Sequence, residues 1–376
     1  KGAGMKKRIL ALLLAFCLLL SGCASLLERP YTVVEPHTEQ PAVGEDPSTL
    51  RVESYSELVG AVLYLVSQCQ EEGRVQLVDY DGDVEDALNR ACLEVAREDP
   101  LGAYAVDFIK NDYTRILTTY EANIYISYRR TPEQIRALVN VTGASAIRRE
   151  MGEALSAFQG ELALRVAYFV GDAASIAELV HQAYYDTPAA ALGMPAVEIS
   201  LYPDTGIQRI VEILLTYPGD AEALRRKSAE LTDAAQALVL PLQAQRYSQN
   251  GRLGLLMDLL PQLAAERAPS GADGSAHSTA WDALCGGGAD SEGLALAVQL
   301  LCDQMELPCA VTEGTLAGEA RFWNTITVNA VEYQLDAFAD EPAPRSSTDL
   351  AALGYAWEGQ PEAGGTIPAE NPKIET

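Results

Sequence analysis

Apolar residues recur along this chain with two periods. Helix-like spacing covers residues 54–70, 84–97, 131–139, 145–158, 173–185 and 220–237, and strand-like alternation covers 74–80, 103–110, 118–128, 162–169, 197–202 and 207–217. Tyr202-Pro203-Asp204-Thr205-Gly206 stands between two alternating runs and marks a hairpin. The order helix, strand, helix, strand, strand occurs twice. Tyr80-Asp81-Gly82-Asp83 corresponds to Phe169-Val170-Gly171-Asp172. Gly82 and Gly171 are 89 residues apart, Pro100 and Pro188 are 88 apart, and Tyr128 and Tyr217 are 89 apart. A near-constant offset over three landmarks predicts an internal duplication. The units run from about 54–140 and 142–230, inside a duplicated α+β domain at 51–238. Pairing of the copies would leave a groove for a ligand, or the copies would serve only as a spacer.

After residue 238 the pattern restarts, with a helix over 253–266, a loop over 269–275 and a further α+β unit. This gives a second domain at 239–345 and a C-terminal tail at 346–376, rich in Pro, Glu and Gly from Gly359 on. The predicted fold class is α+β throughout.

The N-terminal region has a different pattern. From Met5 the chain reads Lys6, Lys7, Arg8, then an apolar run over 9–20 that ends in Leu20-Ser21-Gly22-Cys23. A charged start, a short apolar run and small residues before a cysteine predict a lipoprotein signal peptide at 1–22, with Cys23 as the lipid-bearing residue. The run is too short to span a bilayer, so the expected association is a lipid anchor on the extracytoplasmic face. Residues 23–50 read as a flexible tether.

Charge narrows the partners. The formal net charge is -26, and removal of 1–22 would take away four basic residues and no acids, leaving -30. Such a chain repels nucleic acid and anionic lipid. Of the seven cysteines, Cys69, Cys92, Cys285, Cys302 and Cys309 lie beyond the signal and Cys23. Cys302 with Cys309 is the candidate disulfide, and the two fit equally as small core residues; Cys69 and Cys92, on successive helices of one repeat unit, are a second candidate pair. No cluster suggests a metal, and no cofactor motif is present.

The most specific signal lies near the C-terminal end. It reads Cys285-Gly286-Gly287-Gly288-Ala289-Asp290-Ser291-Glu292-Gly293, then an apolar helix to Cys302, then Leu307-Pro308-Cys309, Arg321-Phe322-Trp323-Asn324 and Tyr333-Gln334-Leu335-Asp336. This order resembles the bacterial transglutaminase-like domain, a papain-related fold, over about 70 residues. The resemblance implies a nucleophile position at Ser291, a base position at Arg321 and an orienting position at Asp336. In that family a cysteine and a histidine hold the first two positions. Ser291 also fits as a helix cap and Arg321 with Asp336 as an ion pair. Trp323, Asn324 and Cys285 are candidate pocket residues, and Cys285 with His277 is a remaining route to catalysis. The expected function is therefore a pseudoenzyme that binds a peptide, glycan or envelope protein. An active acyl-transfer enzyme on extracellular or cell-wall peptides is the alternative.

Overall fold

Most of the first elements follow the sequence periodicity, with two corrections: Thr49 and Leu50, at the end of the expected tether, are buried in a strand paired with Arg74 and Val75, and residues 103–105, expected as strand, are the end of a short helix that Asp99 caps. The structure, a computed structural model, describes residues 41–44, 48–243, 248–268 and 277–360, with 241–243 in backbone only. The predicted signal peptide, Cys23 and most of the predicted tether lie outside the described residues. The chain runs β1 (Thr49–Val52), α1 (Tyr55–Ser67), β2 (Glu72–Leu77), α2 (Val84–Arg97), α3 (Pro100–Ala105), β3 (Val106–Ile116), β4 (Thr119–Tyr128) and α4 (Pro132–Arg136). Ser54 caps α1 by accepting from the Glu57 amide at 3.3 Å, and Leu58, Ala61, Val62, Leu65 and Val66 form its buried stripe. The strands make a sheet of order β1-β2-β4-β3, parallel between β1 and β2 and antiparallel elsewhere.

The same order then recurs. β5 (Val139–Val141), α5 (Ala144–Ser156), β6 (Glu161–Val166), α6 (Ala173–Asp186), β7 (Ala196–Tyr202) and β8 (Arg209–Thr216) give a sheet of order β5-β6-β8-β7. α5, β6 and α6 each begin 89 residues after α1, β2 and α2. The register moves with them, since Val75 faces Ala122 in the first sheet and Leu164 faces Val211 in the second. Just past α1 and α5, Cys69 and Phe158 adopt left-handed φ values of 54° and 51°, again 89 residues apart. The chain divides into two compact units. The first sheet, α1 and most of α2 form one; α3, α4 and everything from α5 on belong to the other.

Within that second unit follow α7 (Ala221–Gln243), α8 (Gln249–Ala265), one π-helical turn over Asp282–Gly286, and α9 (Ser291–Gln304). Then come β9 (Cys309–Leu316), β10 (Glu319–Val328), β11 (Val331–Leu335), α10 (Ser347–Ala352) and β12 (Tyr355–Trp357). These strands form an antiparallel sheet of order β11-β10-β9-β12. α9 is buried continuously from Gly293 to Cys302, so it is the central helix of this part, packed on β9 and β10 and also against α7 and α8. The fold is α+β.

The expected tail at 346–376 needs correction at its start. α10 and β12 lie within it, β12 pairs with β9, and Leu350 and Tyr355 pack on the buried Trp323. Their short apolar stretches carry too little periodicity to stand out among Pro, Gly and acidic neighbours.

Candidate functional site

Ser291 is the first residue of α9, but it does not cap it. Asp290 does, accepting from the amides of Glu292 at 3.0 Å and Gly293 at 3.1 Å, while the Ser278 hydroxyl donates to its other oxygen at 2.6 Å. A carboxylate one position earlier reaches the free amides and suits the positive helix end better than a serine hydroxyl. The approach of this segment is close: a Cβ on Gly293 would fall 2.7 Å from the His277 carbonyl oxygen and 2.8 Å from that of Thr279. Freed from capping, the Ser291 hydroxyl accepts from the Phe322 amide on β10 at 3.3 Å. The helix start is thereby fastened to β10 beside Arg321.

Arg321 and Asp336 do form an ion pair. Arg321 Nε donates to Asp336 Oδ2 at 2.7 Å, and the Tyr355 hydroxyl donates to the same oxygen at 2.6 Å. The Phe338 amide donates to Oδ1 at 2.8 Å, and the Phe338 ring centre lies 4.5 Å from the guanidinium carbon. Asp336 is only 3% exposed. Burial, with Asp336 next, raises the Tyr355 hydroxyl to about 12, so it remains a donor to the carboxylate at neutral pH. β10 carries Arg321 and the end of β11 carries Asp336, because Asn324 pairs with Leu335 across the two strands. Ser291, Arg321 and Asp336 are thus gathered at one corner of α9 and the sheet.

A second cluster flanks the first. The Tyr185 hydroxyl on α6 donates to Glu292 Oε1 at 2.8 Å, and the Tyr185 ring meets Phe322 with centroids 5.9 Å apart. Gln299 ties both sides, donating to the Tyr185 carbonyl at 2.8 Å and accepting from the Val311 amide at 2.9 Å. His181 stands edge-on to Tyr185 at 4.9 Å, with Nε2 3.6 Å from Glu313. Burial pushes the Glu292 carboxyl up; the Tyr185 hydroxyl opposes this, and Asp290 and Glu313 add to it. Burial and then Glu292 likewise raise the Tyr185 hydroxyl. Tyr185 and Glu292 are 107 residues apart, so no local pattern linked them.

The candidate pocket residues separate. Trp323 and Asn324 are 0% exposed, which removes them from any open pocket. Trp323 donates to Gln334 Oε1 at 2.8 Å, and Asn324 donates to the Ala295 carbonyl at 2.9 Å while its Oδ1 has no partner. Cys285 is exposed on the π-helical turn, where burial and Glu230 raise its thiol despite Lys227. It therefore lacks the lowered pKa of a thiol nucleophile. Cys302 and Cys309 form no disulfide in this structure, against the candidate pairing, and neither do Cys69 and Cys92. Cys92 instead receives a hydrogen bond from Asn111. Among the described residues no group of three or more His, Cys, Asp or Glu could hold a metal. A cavity of about 350 Å³ lies behind Asp336, lined by Asp336, Glu341, Arg345, Leu350, Leu353 and Tyr355 among others.

No family model matches the chain, and no curated protein matches it. Two solved structures show a distant likeness. One is a transglutaminase at 13% identity, covering 56% of this chain and 61% of that chain with a TM-score of 0.24. The other is a proposed protease from Parabacteroides distasonis at 9% identity, covering 72% of this chain and 40% of that chain, also with a TM-score of 0.24. This chain thus spans less than two thirds of either structure. At such scores neither likeness carries an argument about activity.

Proposed function

We propose that this protein is a lipid-anchored, extracytoplasmic binding module whose last domain resembles a transglutaminase-like domain but no longer performs acyl transfer. The buried Arg321–Asp336 pair carries this reading. In a working site the residue facing the aspartate must take a proton from the nucleophile. A guanidinium keeps its own proton, with a pKa above about 12, and cannot do so. The Ser291 hydroxyl is already an acceptor for the Phe322 amide, which supports a fastening role. Losing members of a nucleophile–base unit costs on the order of 10⁴ to 10⁶ in rate.

The anchoring part of the proposal rests on Leu20-Ser21-Gly22-Cys23. The duplicated domain is read as one ancestral unit copied once, supported by the shared strand order and the 89-residue register. An envelope protein, peptide or glycan is the expected partner.

Two measurements test this. Cys23→Ala should abolish uptake of labelled fatty acid, and persistent labelling would refute the anchor. The purified mature protein should neither incorporate a fluorescent amine into a glutamine-containing protein nor hydrolyse peptides. Turnover that disappears in Ser291→Ala, Cys285→Ala or His277→Ala would overturn the pseudoenzyme reading and name the surviving group. Ser291→Cys alone should stay inactive, and Ser291→Cys with Arg321→His is the variant expected to regain measurable activity.

A further inference from the structure

β3 is the outer strand of the first sheet, and among the described residues no strand pairs with its free edge. It is 11 residues long, and from 107 to 116 only Ile109 and Asn111 are less than exposed. Alternation sorts its side chains onto two faces. Asn111 is on the helix side, where it donates to Asn89 Oδ1 on α2 at 3.1 Å. Phe108, Lys110, Asp112 and Thr114 share the other face, where Asn123 on β4 donates to Asp112 Oδ1 at 2.8 Å. Lys110 and Arg115 lie against the rings of Phe108 and Tyr120, and neither has a carboxylate partner among the described residues. An edge this long and accessible is a template for another strand, although a lysine on it ordinarily discourages pairing. In the second copy of the repeat the corresponding strand, β7, is 7 residues long and packs against α3.

We propose that β3 pairs antiparallel with β3 of a second copy of this chain, across a two-fold axis beside Asn111, joining two four-stranded sheets into one. Such an axis stands perpendicular to the sheet and keeps each face on its own side, so a residue must sit at the centre, opposite itself. With Asn111 there, Lys110 stands opposite Asp112 of the second copy, and the symmetry repeats this pair. Ile109 then opposes Tyr113, and Phe108 opposes Thr114, which are favourable cross-strand combinations. Beyond them Asp107, at the bulge between Val106 and Phe108, comes beside Arg115. Centring the pairing on Lys110 or on Asp112 instead sets no acid against a base. The lysine that turns other strands away is therefore matched by an aspartate in this one register, so it selects the partner as well as guarding the edge. Pairing also brings the two α2 helices toward each other over the axis. Leu93, one turn along α2 from Asn89, is 61% exposed and gains cover there.

Sedimentation equilibrium on the purified mature chain, made without lipid, should give twice the monomer mass at about 50 µM. Lys110→Asp sets aspartate against aspartate, and Asp112→Lys sets lysine against lysine. Each variant alone should therefore dimerise about tenfold or more weakly than the parent. An equimolar mixture of the two variants should recover the dimer, because every Lys110–Asp112 position then holds opposite charges again. Both side chains are exposed, so the variants should fold, and circular dichroism matching that of the parent checks this. A parent that is monomeric at that concentration would overturn the pairing. Dimers that both variants leave unweakened would place the contact on another surface and overturn it equally. A mixture that stays monomeric would rule out the Asn111-centred register, and so would larger species in place of dimers.

Discussion

Two arginines in the second unit are set among the same kinds of neighbour. Arg130 donates to Glu212 Oε2 at 2.6 Å, the Tyr202 hydroxyl shares that oxygen at 3.1 Å, and the Tyr104 ring centre lies 5.1 Å from the guanidinium carbon. Arg321 has Asp336, Tyr355 and Phe338 in the matching roles. The two differ in how fully they are satisfied. Both Asp336 oxygens accept, and one of the donors is a backbone amide. Around Arg130, by contrast, Nε and the Tyr104 hydroxyl are buried with no partner. The first cluster sits on a sheet whose sequence carries no catalytic resemblance. An arginine–carboxylate–tyrosine knot thus occurs twice in this unit, and the knot at Asp336 is the better satisfied of the two.

Breaking each knot from the carboxylate side should give the largest effects. Asp336→Asn leaves the Arg321 charge buried beside a neutral group and should cost about 3–5 kcal/mol in urea unfolding. Glu212→Gln should cost less, about 2 kcal/mol, because Arg130 is the more exposed arginine, at 22% against 15%. Equal losses would mean that the two knots do the same work. Replacing the Asp336 pair together, as Arg321→Met with Asp336→Leu, should recover most of the loss, since an apolar pair strands no charge.

A smaller effect separates the two residues at the start of α9. Asp290→Ala should cost about 1 kcal/mol, and Ser291→Ala only a few tenths, read from the shift of the unfolding midpoint. The reverse order would return the capping role to Ser291.

The smallest effect concerns pH. Burial raises the Glu292 carboxyl, so the folded state holds that proton more tightly than the unfolded chain. The ionised group therefore costs stability above the unfolded carboxyl value, and that cost fades as pH falls back through the raised folded value. Glu292→Gln keeps an acceptor for Tyr185 and should be slightly more stable than the parent at pH 7. The gain should vanish near pH 4, as followed by thermal unfolding across that range. A gain that does not change with pH would remove ionisation as its cause.

Much of the fold was legible because it rests on period and repetition. The 89-residue offset read from Gly82 and Gly171 reappears in strand register, and the Arg321–Asp336 pairing followed from their places in the motif. What was not legible depends on distant or unpatterned residues. Nothing near Asp336 announces Tyr355, which lies in a stretch whose composition reads as tail. Nothing near Glu292 announces Tyr185. By residue type Ser291 fits the cap of α9, and Asp290 fits it equally well. Only the backbone path, which begins the helix one residue earlier than that reading, chooses between them.

Gly314 on β9 has a consequence for how the far edge of this sheet is closed. A Cβ there would sit 2.4 Å from both the Ala356 carbonyl and the Trp323 ring, so only a glycine lets β12 lie down at that edge. β12 delivers the Tyr355 hydroxyl that finishes the shell around Asp336. A chain cut after Asp336 would keep the arginine and the carboxylate but not their third partner, so the corner is complete only with residues 347–357 in place, and β12 is the piece that closes it.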